Sequence, residues 1–178
     1  MTPSAAGTTP WPALRRAAPR ALVFLSAFAG LQLAWQHLQG SAVQYTFVHT
    51  LTARPAAALL GLLLPTAHVH ADGLAVAGDG GRLNIINGCE GVEAVFLLAG
   101  ALLAAPASWM ARAQGLALGT VLVVAVNQLR VAVLFYAWCR SPAWFYVLHG
   151  TVTPIGLILV VAAYFYAWSA HSARILPA

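Results

Sequence analysis

Charged residues are scarce in this chain of 178 residues: they make up 7% of the sequence, against 61% hydrophobic residues. Soluble globular domains carry roughly 25% charged residues, so an ordinary soluble enzyme or binding module is excluded. Lysine is absent, and the nine basic residues are arginines scattered between apolar runs. Because they build no continuous basic face, no nucleic-acid partner is expected. The composition instead predicts an all-α polytopic membrane protein whose arginines collect on the cytoplasmic side.

Cysteine is also scarce, since Cys89 and Cys139 are the only two. Two cysteines cannot build a disulfide framework. The length predicts a single membrane-embedded domain over residues 1–178, with no room for a second one. A spanning helix needs about 20 mostly apolar residues. Four stretches meet this requirement, namely 21–37, 91–110, 114–138 and 151–168.

A fifth stretch, 44–64, is polar in its first half and is interrupted by Pro55. Arginines place the N-terminal residues 1–20, the turn at 110–114 and the C-terminus in the cytoplasm, which requires four crossings. We therefore expect 44–64 to lie in the outer interface as an amphipathic helix, and a further span is the alternative. The N-terminus has a second interpretation, because the residues around Ala27 loosely imitate a signal-peptide cleavage site.

Residues 65–88 alternate polar and apolar side chains around a glycine-rich turn at 78–81. This pattern predicts an extracytoplasmic β-hairpin with strands near 68–77 and 82–86. His68 and His70 would share one strand face, but without a cysteine or carboxylate at ligand spacing we expect no metal site. Arg82 is expected on the hairpin surface, paired with Asp72 or Asp79.

Ionisable residues at membrane depth are functional candidates by default. Arg130 would lie about 24 Å along the third spanning helix, near its outer end, and Asn127 would share its face. A snorkelling arginine is the simpler alternative. Glu93 lies one turn beyond Cys89 and would either pair with Arg130 or face the bundle as a polar residue.

Cys89 lies between Gly88 and Gly91, at the start of the second spanning helix. A helix N-terminus favours a thiolate and would lower the pKa of the thiol, whereas the carboxylate of Glu90 would raise it unless that side chain is paired or turned away. His149 opens the last spanning helix on the same outer side. Thiol, guanidinium and imidazole together suit acyl transfer: attack by sulfur, stabilisation of the thiolate or oxyanion, and protonation of the leaving amine.

Three segments resemble the exosortase/archaeosortase family of membrane transpeptidases, and most closely its short exosortase H type: INGCEGVEA, NQLRVAVLFY and SPAWFYVLHG. The resemblance covers about residues 65–168. The family's catalytic cysteine, arginine and histidine fall on Cys89, Arg130 and His149. The residues around them that we expect to support the site are Asn87, Gly88, Gly91, Glu93 and Asn127.

The resemblance implies a multi-pass protein of the bacterial inner membrane whose site faces the periplasm. Its partners would be secreted proteins that end in a short motif, a transmembrane helix and a basic tail. The cleaved chain would pass through a thioester on Cys89 to a cell-envelope acceptor, without a metal or an organic cofactor. Two other functions remain open: a non-enzymatic membrane subunit or chaperone with a structural network of Arg130, Glu93 and Asn127, and a thiol redox protein that uses Cys89 and Cys139.

Overall fold

The computed structural model describes residues 11–85 and 88–175, with side chains over 17–85 and 88–172. Within these ranges the chain is mainly helical, with one small antiparallel sheet. The α-helices are α1 (Trp11–Leu38), α2 (Ala42–Val48), α3 (Arg54–Leu63), α4 (Val92–Ala104), α5 (Trp109–Arg140), α6 (Pro142–Val147) and α7 (Thr153–Ile175). Two π-helical turns, His49–Ala53 and Leu148–Val152, join α2 to α3 and α6 to α7.

Three helical segments are long and apolar enough to cross a membrane: Ala17–Leu38, Trp109–Arg140 and Pro142–Ser172. Many of their large apolar side chains point outward, among them Leu25, Leu118 and Leu159. A soluble protein rarely exposes such contiguous apolar surface, whereas lipid accepts it. The fold is therefore that of a helical membrane protein.

The second predicted span is shorter than the sequence indicated. The stretch 91–110 was expected to be one helix, but α4 has 13 residues and a length of about 20 Å, which is less than the roughly 30 Å of bilayer hydrocarbon. Pro106 ends it, because a proline disfavours helical backbone at the residue before it. Ser108 then caps α5, its hydroxyl accepting a hydrogen bond from the Ala111 backbone at 3.2 Å. As a result α5 begins five residues earlier than predicted.

The ambiguous stretch 44–64 lies within a helical run from Ala42 to Leu63 that includes the first π-helical turn. Val48, Thr52, Ala56 and Leu60 recur every four residues and are all buried. This spacing places them on one helix face, and that face packs against α5 and the sheet. The run is therefore amphipathic, and it is not among the three segments apolar enough to span a membrane.

The predicted hairpin is a three-stranded antiparallel sheet, with β1 (His70–Asp72), β2 (Ala75–Gly78) and β3 (Gly81–Asn84) in sequence order. The single strand expected over 68–77 is broken by a turn at Gly73, whose φ of 59° is left-handed. The glycine-rich turn joins β2 to β3 as expected. Arg82 pairs with Asp72 rather than with Asp79. The last residue of the second predicted strand, Ile86, lies outside the described residues.

Glycines on α5 allow α7 to approach closely. A Cβ on Gly115 would lie 2.5 Å from Nε1 of Trp168, and one on Gly119 would lie 2.6 Å from Cε1 of Tyr164. Both contacts are shorter than real Cβ atoms make, so only glycine fits at these points. This small-residue spacing therefore serves packing within one chain, and it brings α7 and the preceding π-helical turn against α5.

Candidate active site

Cys89 lies in a tight turn between β3 and α4. Gly88 and Gly91 have φ values of 90° and 79°, a left-handed conformation that glycine adopts without steric cost. Gly91 also needs to be small, because a Cβ there would lie 2.9 Å from Cγ of Asn127. The turn places Cys89 three residues before the first residue of α4, and its side chain is 4% exposed.

The second π-helical turn brings His149 to the cysteine. Its Nδ1 atom lies 3.3 Å from Sγ of Cys89, within hydrogen-bonding distance for sulfur. The imidazole stacks on the ring of Phe145, with centroids 5.3 Å apart and planes at 5°. The stacking fixes the ring plane, and within that plane Nδ1 points to the thiol. π-Helical turns occur often at functional sites, and this one displaces His149 from the register of a regular helix.

Arg130 reaches the same turn from α5. Its Nη1 donates a hydrogen bond to the Gly88 carbonyl at 2.7 Å, and its Nε donates to Oγ1 of Thr153 at 3.0 Å. The Thr153 hydroxyl in turn donates to the Leu148 carbonyl at 2.9 Å. Arg130 therefore ties the cysteine turn to the histidine turn. Among the described residues, its Nη2 donates no hydrogen bond.

Asn127 lies one turn before Arg130 on α5 and hydrogen-bonds the turn that carries Cys89. Its side-chain amide donates to the Cys89 carbonyl at 3.0 Å, and the residue is 1% exposed. Asn127 and Arg130 lie on one helix face, as their spacing predicts. They donate to the carbonyls of two consecutive residues, Cys89 and Gly88. Asn127 thus has a positioning contact with the backbone of the cysteine.

Electrostatics at the thiol differ from the sequence expectation. A lowered pKa was expected for Cys89 from the helix N-terminus. In the structure, burial raises the pKa of the Cys89 thiol above its ordinary value, and the Arg130 guanidinium opposes this change. The carboxylates of Glu90 and Glu93 raise this pKa further. The expected lowering was wrong, because burial of the thiol is the largest influence on its pKa.

Glu90 and Glu93 lie on different sides of the turn. Glu90 is buried and accepts a hydrogen bond at 3.2 Å from Nε1 of Trp35 on α1. Glu93 is exposed in the first turn of α4, where a carboxylate is favoured by the helix dipole. The ion pair considered between Glu93 and Arg130 is not formed, because the ion pairs of the described chain are His68–Asp79 and Arg82–Asp72.

A cavity of about 320 Å³ is lined by His149, Arg130 and the glycines on either side of Cys89, Gly88 and Gly91, while the buried Cys89 itself does not line it. Its polar wall contains Arg130, His149 and Glu93, and its apolar wall extends along α7 past Leu157 and Ile158. Such a cavity combines a few convergent polar groups with an apolar lining, which is typical of ligand sites.

The structure thus brings together Cys89, Arg130, His149, Gly88, Gly91 and Asn127, with Glu93 at the cavity wall, while Asn87 lies outside the described residues. Sequence reasoning missed Thr153, Phe145 and Trp35. The position of Thr153 four residues after His149 is a helical spacing that would have placed the two on one face. Nothing in the sequence indicates the partnership of Trp35 with Glu90, which are 55 positions apart.

Cys89 and Cys139 are both free. Cys139 packs near the turn between β2 and β3, where a Cβ on Gly80 would lie 2.9 Å from its sulfur. His68 hydrogen-bonds Asp79 at 2.7 Å on the surface of the sheet. Across the described parts of the chain, no three side chains of metal-binding type are grouped to hold an ion.

Comparisons with protein-family models, with curated proteins and with solved structures found no match.

Proposed function

We propose that this protein is a membrane cysteine peptidase and transpeptidase that cleaves C-terminal sorting signals of secreted proteins. The observation that carries the proposal is the 3.3 Å contact between Sγ of Cys89 and Nδ1 of His149. A nucleophile within hydrogen-bonding reach of a base, with the base held by a third group, is the arrangement of covalent acyl transfer. Phe145 is that third group here, because it stacks on the imidazole.

The reaction begins with the Nε2–H tautomer of His149, in which Nδ1 accepts the thiol proton as sulfur attacks the scissile carbonyl. The tetrahedral intermediate carries its negative charge on the former carbonyl oxygen, within reach of the unbonded Nη2 of Arg130. Protonated His149 then gives its proton to the leaving amine, and a thioester remains on Cys89. Water or an acceptor amine, deprotonated by His149, releases the chain and restores the thiol.

The resting protonation state supports this role of His149. Burial and two carboxylates raise the pKa of Cys89, so a preformed thiolate is disfavoured and proton transfer has to accompany attack. Arg130 has a double part in the proposal. It stabilises developing negative charge, and through Gly88 it holds the turn that carries the nucleophile.

Placement in the membrane belongs to the same proposal. The proposal takes α4, although it is shorter than the hydrocarbon, as a fourth crossing beside α1, α5 and the last long helix, which would put the sheet, Cys89 and His149 on the periplasmic side of a bacterial inner membrane. The apolar wall of the cavity along α7 suits the helix that follows a sorting motif. The substrate would thus be a secreted protein with a motif, a transmembrane helix and a basic tail, and the acceptor a component of the cell envelope. This is the activity implied by the resemblance to exosortases.

The test is processing of a co-expressed reporter that ends in a candidate sorting signal. We expect Cys89→Ala and Cys89→Ser to abolish cleavage and Cys139→Ala to leave it unchanged, with all variants matched for membrane level. Unchanged cleavage in Cys89→Ala would refute the proposal and favour a structural network of Arg130 and Asn127. An equal requirement for both cysteines would favour the redox function instead.

A further inference from the structure

A second cavity, of about 220 Å³, lies on the face of α4 opposite the site of Cys89. The first cavity meets α4 at Glu93, Ala94 and Leu97, whereas the second meets it at Val92, Val95 and Phe96. The two share only the turn residue Gly91 among the residues described along their walls. The second cavity is therefore a separate compartment, lined by residues of α1, α2, α4, α5 and the first π-helical turn.

The lining of this compartment is mainly apolar, but two hydrogen-bond acceptors in it lack a partner. Glu90 is 7% exposed, and its Oε1 accepts from Trp35 while its Oε2 has no partner among the described residues. The side-chain amide of Gln128 donates to the Leu51 carbonyl at 2.8 Å, which fixes its orientation and leaves its buried Oε1 without a donor in the described chain. Buried polar groups in native proteins are nearly always paired, so both oxygens have an open acceptor site for water or a bound ligand.

The missing donor has a definite chemistry. A buried carboxylate in an apolar wall favours a cation over a neutral donor. Three aromatic rings line the same cavity as this carboxylate: Trp35 lies edge-on to Phe47 at 5.5 Å and to Phe96 at 6.5 Å. Aromatic faces attract ammonium groups. A primary ammonium has three N–H donors, enough for Glu90 and Gln128.

The depth of the compartment indicates the kind of group that carries the ammonium. Thr120 also lines it and precedes Gln128 by eight residues on α5, a distance of about 12 Å along the helix. Val123 and Val124 lie between them and add no polar atom. The charged end is thus at Glu90, and the stretch along Val123 and Val124 suits an alkyl chain directed along α5.

We propose that this compartment binds a primary alkylammonium group, with Glu90 as its counter-ion, Gln128 as a second acceptor and the rings around Trp35 as its cage. The proposal is independent of peptide processing. It has a consequence for the neighbouring site, because Glu90 directly follows Cys89 and its charge raises the pKa of the thiol. A bound ammonium neutralises that charge, so occupancy makes Cys89 easier to ionise.

The test uses the full-length protein in lipid nanodiscs and n-octylamine as the probe, with n-octanol as the neutral analogue of equal chain length. Calorimetric titration, corrected with empty nanodiscs, should show saturable binding of octylamine and at least tenfold weaker binding of octanol. Glu90→Gln should abolish saturable binding, while Glu93→Gln, the matched carboxylate on the other face of α4, should retain it. Equal binding by Glu90→Gln and the unaltered protein would overturn the proposal.

A second variant covers the case in which Glu90→Gln does not fold. Thr120→Leu fills the far end of the compartment without touching the carboxylate, and it should weaken octylamine binding while circular dichroism stays unchanged. Undiminished binding in Thr120→Leu would place the amine elsewhere and refute the assignment. If the unaltered protein shows no saturable octylamine binding, the measurement is repeated in nanodiscs made without aminophospholipid. Binding that appears there would identify the aminophospholipid as the occupant of the compartment. Continued absence of binding would refute the proposal.

Labelling of Cys89 by a methanethiosulfonate reagent, followed in Cys139→Ala, gives a readout of the coupling. Octylamine should raise the labelling rate severalfold in this background and leave the rate of the double variant with Glu90→Gln unchanged. An equal acceleration in both would show that the amine acts through the bilayer and not through Glu90.

Discussion

The charges around Cys89 predict opposite changes in the pKa of its thiol for two substitutions, Arg130→Met and Glu90→Gln. The Arg130 guanidinium lowers the pKa of the thiol and Glu90 raises it. Arg130→Met should therefore raise the pKa of Cys89 and slow its reaction with a small neutral alkylating agent, whereas Glu90→Gln should lower the pKa and accelerate the reaction. Because the thiolate is the reacting species, the effect is read directly as a rate.

The magnitude is set by the thiolate fraction. A cysteine of ordinary pKa, about 8.5, is roughly 3% thiolate at pH 7, and burial makes this fraction smaller for Cys89. At a pH far below the pKa, the thiolate fraction falls about tenfold for each increase of the pKa by about 1. A charge at close range changes a pKa by about 1 to 3. We expect at least a tenfold slower reaction for Arg130→Met. The acceleration in Glu90→Gln should be smaller, because the Glu90 charge affects the pKa of the thiol less than the Arg130 charge does.

The assay is alkylation by iodoacetamide between pH 6 and 10 in the Cys139→Ala background, with the modified Cys89 peptide quantified by mass spectrometry. Arg130→Lys is the matched control, because it keeps the charge and loses the fork that bonds Gly88 and Thr153. It should react closer to the unsubstituted chain than Arg130→Met does. If Arg130→Met and Arg130→Lys slow alkylation equally and their pH–rate profiles share one midpoint, the electrostatic effect is refuted. Arg130 would then have a purely structural role.

Two further substitutions test how the site is held together. Thr153→Val removes the hydroxyl that accepts a hydrogen bond from Arg130, and we expect reporter processing to fall by about tenfold, in line with roughly 1 to 2 kcal/mol for the lost hydrogen bond. Thr153→Ser keeps a hydroxyl and should restore processing. Failure of that rescue would contradict the role of the hydroxyl. Gly91→Ala forces a left-handed backbone on a residue with a Cβ, 2.9 Å from Asn127, and should lower the free energy of unfolding by about 2 kcal/mol. Thermal unfolding in nanodiscs measures this against Gly156→Ala, which meets nothing within 4 Å, and equal midpoints would contradict it.

The sequence predicted which of these residues lie together better than it predicted the boundaries of the elements around them. Few charged residues are left once the arginines of helix ends and the sheet are removed, so Arg130 was marked by its isolation in an apolar run. Cys89 and His149 were placed by the side of the bundle on which their helices begin. Such placement depends only on which end of each helix a residue occupies, and it tolerates errors in helix boundaries.

The errors have local causes. The length of α4 was overestimated because hydrophobicity continues through 104–107, while the backbone turns at Pro106. The two π-helical turns leave no trace in the apolar pattern, since each adds a single residue to a helical turn. His149 was assigned to the first turn of a helix on that pattern. In the structure, His149 lies in the π-helical turn of a helical run that begins at Pro142. Thr153, the first residue after that turn, accepts a hydrogen bond from Arg130.

The direction of Glu90 was the question that the sequence raised and could not answer, because it depends on backbone angles within a turn of four residues. With Gly88 and Gly91 both left-handed, the turn directs the Cys89 side chain to His149 and the Glu90 side chain to Trp35. Adjacent residues thus point to different sides of α4: Glu90 lines the second cavity, and Cys89 contacts His149, which lines the first. The thiol experiences one carboxylate from each side and a single guanidinium, so its reactivity depends on whether Glu90 is neutralised. We therefore expect a change of charge in the second cavity to alter the reactivity of the Cys89 thiol without requiring the turn to move.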